Sequence, residues 1–297
     1  MKNILKRLQR GDVIVGDGAV GTFLIKRGLK NGEPPEIFNL SKPEVLEEIA
    51  SLYLAAGAEI VTTNTFGASP LKLKHFSLDK EVEAVNRSAV EAARKAVSDK
   101  AYVSGCVGPT GKMLMPYGDA EPEEVYAGYR RQISALLAAG IDAVFVETMN
   151  DLNEAVLAVE AARSLDSKIP ILATVTFKKN PQGYFTLMGA SPKDAAAALE
   201  KAGADIVGSN CGQGAAQMVE IAREFKKHAH VPVAIQSNAG LPVPSQGGDV
   251  YPETPDFLAA RAEELLGLGV QIIGGCCGTG PEHIRAIRKA VDARIPA

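Results

Sequence analysis

The chain has 297 residues and sets 32 Lys and Arg against 35 Asp and Glu, a net charge of −3, so its overall field attracts neither nucleic acid nor an anionic membrane. With 46% apolar and 23% charged residues, it has the make-up of a soluble globular protein with ample material for a large core. Four cysteines are too few for a secreted disulfide scaffold, and Lys6, Arg7, Gln9 and Arg10 interrupt the N-terminal stretch before it reaches signal-peptide length, so reduced thiols and a cytoplasmic location are expected.

In chain order, apolar runs predict strands near 13–17, 59–64, 101–107, 142–147, 170–176, 204–210, 231–238 and 270–275. Helical periodicity follows each of them, near 44–56, 82–98, 123–139, 151–165, 191–202, 214–228, 255–268 and 281–292. Four of the helix-to-strand junctions look alike: AAGAEIV, AAGIDAV, KAGADIV and GLGVQII each run an Ala- or Leu-rich helical pattern into Gly57, Gly140, Gly203 or Gly269. A glycine there stops the helix by taking positive φ, and the β-branched run after it begins a buried strand. Eight such alternations imply parallel strands with right-handed crossovers, and favour a closed (β/α)8 barrel over an open doubly wound sheet. No Ser- or Pro-rich linker divides the chain, so residues 1–297 read as one barrel domain.

The longest loops, NGEPPEIFNLSKP, KMLMPYGDAEP and PVPSQGGDVYPE, follow the first, third and seventh strands. They gather on the barrel face that carries active sites in this architecture. The strand ends on that face offer Asp17, Asn64, Cys106, Glu147, Thr176, Asn210 with Cys211, Asn238, and Cys276 with Cys277. The sixth and eighth strands point toward a shared axis, so Cys211, Cys276 and Cys277 can reach one metal. Three thiolates suit zinc and leave its fourth position for chemistry. The adjacent pair needs a chain turn to face inward together, which Gly274, Gly275 and Gly278 permit. The alternative is three small residues packed in glycine-rich turns. Cys106 is expected only to pack, and His75, His228, His230 and His283 fall on the surface or on helices rather than at strand ends.

Seven segments, GDGAVGT, TTNTFGAS, VGPTG, VETMNDLNEA, SNCG, SNAGLP and GGCCGTGPEHI, span nearly the whole chain and together resemble the homocysteine S-methyltransferase family. The likeness is strongest to the homocysteine-binding module of cobalamin-dependent methionine synthase. The resemblance implies a zinc-bearing barrel that moves a methyl group to the sulfur of L-homocysteine. It implies Cys211, Cys276 and Cys277 as zinc ligands, and Asn238 as an oxygen ligand when substrate is absent. It also implies Asp17 and Glu147 as holders of the substrate ammonium, with backbone amides around Gly18 and Ala19 for its carboxylate. Read by itself, Asp17 before Gly18 is a turn or capping residue, and only the family pattern reverses that, whereas Glu147, ending the apolar run DAVFV, is poorly solvated without a cation. Asn64 either lines the site or braces the rim.

The family's methyl donors include methylcobalamin, betaine and S-methylmethionine. The chain shows no DxHxxG-type corrinoid signature, and it has no Trp and only 5% aromatic residues for caging an onium donor. The expectation is methylcobalamin carried by a separate corrinoid protein or module, with an S-methylmethionine- or betaine-dependent enzyme as the alternative. Two other classes compete. GGCCGTG before Pro281 can seat phosphate in a barrel lyase or isomerase, although no Lys or His marks a strand end as base. A non-catalytic module that only presents homocysteine would share the same binding groups.

Overall fold

The structure, a computed structural model, describes residues 3–30, 32–245 and 249–294. Residue 31 of the first long loop and residues 246–248 of the last lie outside the described residues. Eight parallel strands form one sheet: β1 (Ile14–Val15), β2 (Ile60–Thr62), β3 (Tyr102–Val107), β4 (Ala143–Met149), β5 (Ile171–Val175), β6 (Ile206–Gly214), β7 (Val233–Asn238) and β8 (Ile272–Gly275). From β2 to β8 each pairs with its neighbour in sequence, and β8 pairs with β1. A bridge between Gly16 and Ile60, with the Glu59 amide donating to the Val15 carbonyl at 2.8 Å, closes the ring between β1 and β2. The fold is the expected (β/α)8 barrel.

Eight helices, from Pro43–Ala55 to Pro281–Asp292, lie within a residue or so of the expected spans. Their ends have local causes. Pro43, Pro122, Pro192, Pro255 and Pro281 occupy the first helical turn, where a missing N–H costs nothing. Asp151, Ser191 and Thr254 cap their helices through side-chain oxygens. Gly57, Gly140, Gly203 and Gly269 all adopt positive φ, between 79° and 106°, as their junctions require.

Side chains alternate along each strand, so residues two apart face the barrel axis together. The lower axial layer is apolar: Ile14, Ile60, Tyr102, Phe145, Leu172, Ile206, Ala234 and Ile272 form one buried cluster. Two residues further toward the mouth the same parity places Thr62, Glu147 and Gln236, and four residues further it places Cys106, Asn210 and Cys276.

Elements not anticipated from sequence are short. The helix Ile4–Gln9 closes the base of the barrel, with Ile4 and Leu8 packed into the axial cluster. Its charges lie on the other face, where Arg7 pairs with Glu59 at 2.7 Å and Asp12 at 3.0 Å. The first and second connections contain small helices at Gly21–Lys26, Ile37–Ser41 and Pro70–Leu73, and a hairpin pairs Lys178–Asn180 with Gly183–Phe185. Among the described residues, no helix is long and apolar enough to cross a membrane.

Candidate functional site

A cavity of about 250 Å³ opens at the C-terminal ends of the strands. Its lining brings together Asp17, Gly18, Ala19, Asn64, Glu147, Cys211, Cys276 and Cys277 from five sequence segments, with Thr62, Cys106, Thr148 and Gln236 among them. No Lys, Arg or His is among the lining residues.

The three half-buried thiols converge from β6 and from the turn after β8. Their sulfurs lie within 4.8 Å of one another, with Cys211 and Cys277 at 3.8 Å. Metal–sulfur bonds of about 2.3 Å in a tetrahedron place ligand sulfurs about 3.8 Å apart, so the cluster fits a thiolate-preferring dication such as zinc. All three thiols are free, and 3.8 Å is far beyond disulfide bonding. Adjacent Cys276 and Cys277 both face the cavity because the chain turns after Gly275, with the Thr279 amide returning to the Cys276 carbonyl at 3.1 Å. Gly278 makes that turn at φ +80°, and a Cβ there would lie 2.1 Å from the Tyr251 ring. Hydrogen bonds from Cys276 and Cys277 lower the pKa of Cys211, and the same contacts push the Cys276 thiol up.

Two carboxylates face the thiols. Asp17, buried at the end of β1, accepts from the Thr62 amide at 2.7 Å and the Thr62 hydroxyl at 3.0 Å. Burial pushes its carboxyl up to about 6, against those two donors. Glu147, at the end of β4, accepts from Asn210 Nδ2 at 3.2 Å and from the Cys106 thiol at 2.6 Å. Burial pushes it up to about 7. Neither carboxylate has an ion-pair partner among the described residues, so the pair presents an acidic pocket fitted to a ligand cation.

The remaining candidates divide. Asn64 lines the cavity, yet its amide donates to the Pro35 carbonyl and Asn39 Oδ1, both at 2.8 Å, and braces the rim. Asn238 Oδ1 accepts from the Cys277 amide at 3.1 Å and supports the sulfur-bearing turn. Two expectations need correction. The Ala19 amide donates to the Thr279 carbonyl at 3.1 Å and hydroxyl at 3.3 Å, so it is engaged within the fold rather than offered to a ligand carboxylate. Cys106 does more than pack: it lines the cavity and touches Glu147, and its inward parity on β3 signals this. The same parity marks Gln236, which sequence reasoning missed. His75 and His230 are exposed, His228 ends its helix, and His283 accepts from the Gly280 amide at 3.0 Å as a helix cap.

The barrel and its mouth define a class: a (β/α)8 protein with a trithiol cluster facing paired carboxylates. The chain belongs to the homocysteine S-methyltransferase family, whose description matches residues 14–291. It is 37% identical over 307 aligned residues to the methionine synthase of Mycobacterium leprae (strain TN), covering 96% of this chain and 25% of that protein. It is 33% identical over 310 residues to betaine–homocysteine S-methyltransferase 1 of Rattus norvegicus, covering 96% of this chain and 74% of that one. The chain thus spans about a quarter of the mycobacterial relative. Among solved structures, the metallated homocysteine methyltransferase MmuM of Escherichia coli superposes with a TM-score of 0.80, 23% identity, and coverage of 97% and 99%, which establishes the shared fold.

Proposed function

We propose that the chain is a zinc-dependent methyltransferase that accepts a methyl group on the thiolate of L-homocysteine and yields methionine. The observation that carries this reading is the placement of three convergent thiols opposite two uncompensated carboxylates in one cavity. Cys211, Cys276 and Cys277 would hold the zinc, whose charge would lower the pKa of a coordinated substrate thiol so that its proton leaves to solvent and the sulfur stays a thiolate. Three thiolate ligands leave that sulfur electron-rich, favouring nucleophilic attack over activation of water. Glu147 and Asp17 receive the substrate ammonium, and with that cation present both carboxylates ionise more readily. The substrate carboxylate rests against the backbone of Gly18 and the residues that open the helix Gly21–Lys26. Sulfur then attacks the donor's methyl carbon: the S–C bond forms as the bond to the donor breaks, and the departing group keeps its electron pair.

For the donor, we favour methylcobalamin borne by a separate corrinoid protein or module. The exposed large apolar side chains concentrate on connections at the mouth face, among them Phe66, Met113, Met115, Tyr117, Leu241 and Val243. Apolar side chains exposed around the mouth suit a macromolecular donor better than a small solvated one. A small onium donor, betaine or S-methylmethionine, is the second reading, supported by coverage of 74% of the rat enzyme. Turnover of homocysteine with each donor separates them: methylcobalamin alone supports the first reading, and turnover only with an onium compound overturns it. Homocysteine binding without transfer from any donor would indicate a presenting module.

A further inference from the structure

Two irregularities lie side by side in the barrel wall. The pairing of β4 with β5 slips between Val146 and Met149, and that of β6 with β7 slips between Asn210 and Gly214. At each slip a residue other than glycine adopts the left-handed region, Thr148 and Cys211, both at φ +58°. Each such residue costs on the order of 1–3 kcal/mol and persists only where its surroundings hold it. The slips have a geometric effect. In a regular strand Glu147 and Thr148 would face opposite sides, yet here both line the cavity. At the second slip Cys211 lines the cavity while its neighbour Asn210 is fully buried just behind the lining.

The Asn210 side chain joins the two slips. Its Oδ1 accepts from the Thr148 amide and the Thr174 hydroxyl, both at 2.7 Å. Its Nδ2 donates to Thr148 Oγ1 at 2.7 Å and Glu147 Oε2 at 3.2 Å, and lies 3.7 Å from Cys276 Sγ. The Asn210 carbonyl accepts from the Thr176 hydroxyl at 3.0 Å, which pins the backbone just before Cys211. One amide therefore contacts a carboxylate on one wall and a sulfur on the other, while holding the strained residue next to the first.

We propose that Asn210 is the positioning residue that couples the ammonium-binding half of the mouth to its sulfur half. It aims Glu147 through the Thr148 turn and aligns Cys276 and Cys211 from the opposite side. The proposal rests on the reading of Glu147 as the ammonium partner and of the three cysteines as the zinc site. A carboxyl in place of the amide keeps the shape and the bond from the Thr148 N–H but removes both donors and adds a negative charge beside Glu147, so Thr148→Ala, which adds no charge, is read alongside Asn210→Asp.

The test measures homocysteine binding to the zinc-loaded protein by calorimetry, alongside γ-mercaptobutyrate, which has the thiol but no amino group. Asn210→Asp is expected to weaken homocysteine about tenfold and γ-mercaptobutyrate far less, as suits a donor lost to a charged group. In a Glu147→Gln background that penalty should largely vanish, and zinc should pass to a chelator several-fold faster from Asn210→Asp than from wild type. A folded Asn210→Asp protein with wild-type homocysteine affinity, or losses that simply multiply with those of Glu147→Gln, overturns the coupling. If Asn210→Asp fails to fold, Thr148→Ala removes the other end of the same clamp and should show the same selectivity on a smaller scale; equal losses for both thiols would overturn it. Wild-type protein that holds zinc but binds no homocysteine contradicts the functional reading instead, and the chelator rates then decide the role of Asn210.

Discussion

The two halves of the barrel interior are built from the same strands, two or four residues apart, and have opposite physical chemistry. The lower half stacks Ile14, Ile60, Tyr102, Phe145, Leu172, Ile206 and Ile272 over the helix Ile4–Gln9. Each such side chain contributes about 1.5–3 kcal/mol by leaving water. The upper half continues the same parity with Thr62, Cys106, Glu147, Asn210 and Cys276, where burial raises the cost of every charge. One half stabilises the protein and the other is destabilised for chemistry, and the division falls within one or two inward-facing positions of each strand.

Substitutions in each half should therefore break different things. The largest effect is expected in the upper half: Cys211→Ala should lose zinc and methyl transfer together, by more than the roughly 10–100-fold typical of an outer-shell change. Its unfolding midpoint should stay close to that of metal-free wild type, because the cysteine is at the mouth and not in the core. Zinc content beside a thermal melt checks both. In the lower half the pattern should invert, with Phe145→Ala costing about 3–5 kcal/mol of stability while the folded fraction retains its zinc. Denaturant unfolding with metal analysis of the native protein reads that outcome, and zinc loss from folded Phe145→Ala would show that the halves are not separable.

The subtlest contrast is in pH. Folding raises the carboxyl of Asp17 to about 6 and that of Glu147 to about 7, above ordinary values of 3.8 and 4.5. The folded protein then binds protons more tightly than the unfolded chain, so these groups reduce substrate-free stability as pH climbs from about 4 through 7. A bound ammonium reverses that penalty. Preference for homocysteine over γ-mercaptobutyrate should accordingly grow as pH rises through 6 and 7 and level off above, and Glu147→Gln should flatten much of the rise with zinc content unchanged. Loss of zinc from Glu147→Gln would instead tie that carboxylate to the metal site.

Much of this architecture was legible because its causes are local. Glycines that stop helices at 57, 140, 203 and 269, and prolines that start them, act within a few residues, so the eightfold alternation and the strand ends could be read directly. Convergence of Cys211 with Cys276 and Cys277 follows from topology once the barrel is granted. What escaped has distant causes. The charges of the Ile4–Gln9 helix mask its apolar face until the barrel base is there to cover. Engagement of the Ala19 amide depends on Thr279, 260 residues away, and the part played by Asn210 depends on Thr148, 62 residues away. Cys106 was within reach, since counting by twos from buried Tyr102 turns it toward the axis.

The central claim is that three cysteine sulfurs hold zinc and the substrate sulfur completes the set. X-ray absorption at the zinc edge, recorded on reduced protein before and after homocysteine is added, measures it directly. The expected result is a coordination sphere that goes from three sulfurs plus one lighter atom to four sulfurs. A sulfur count that does not change on saturation with homocysteine would contradict the account.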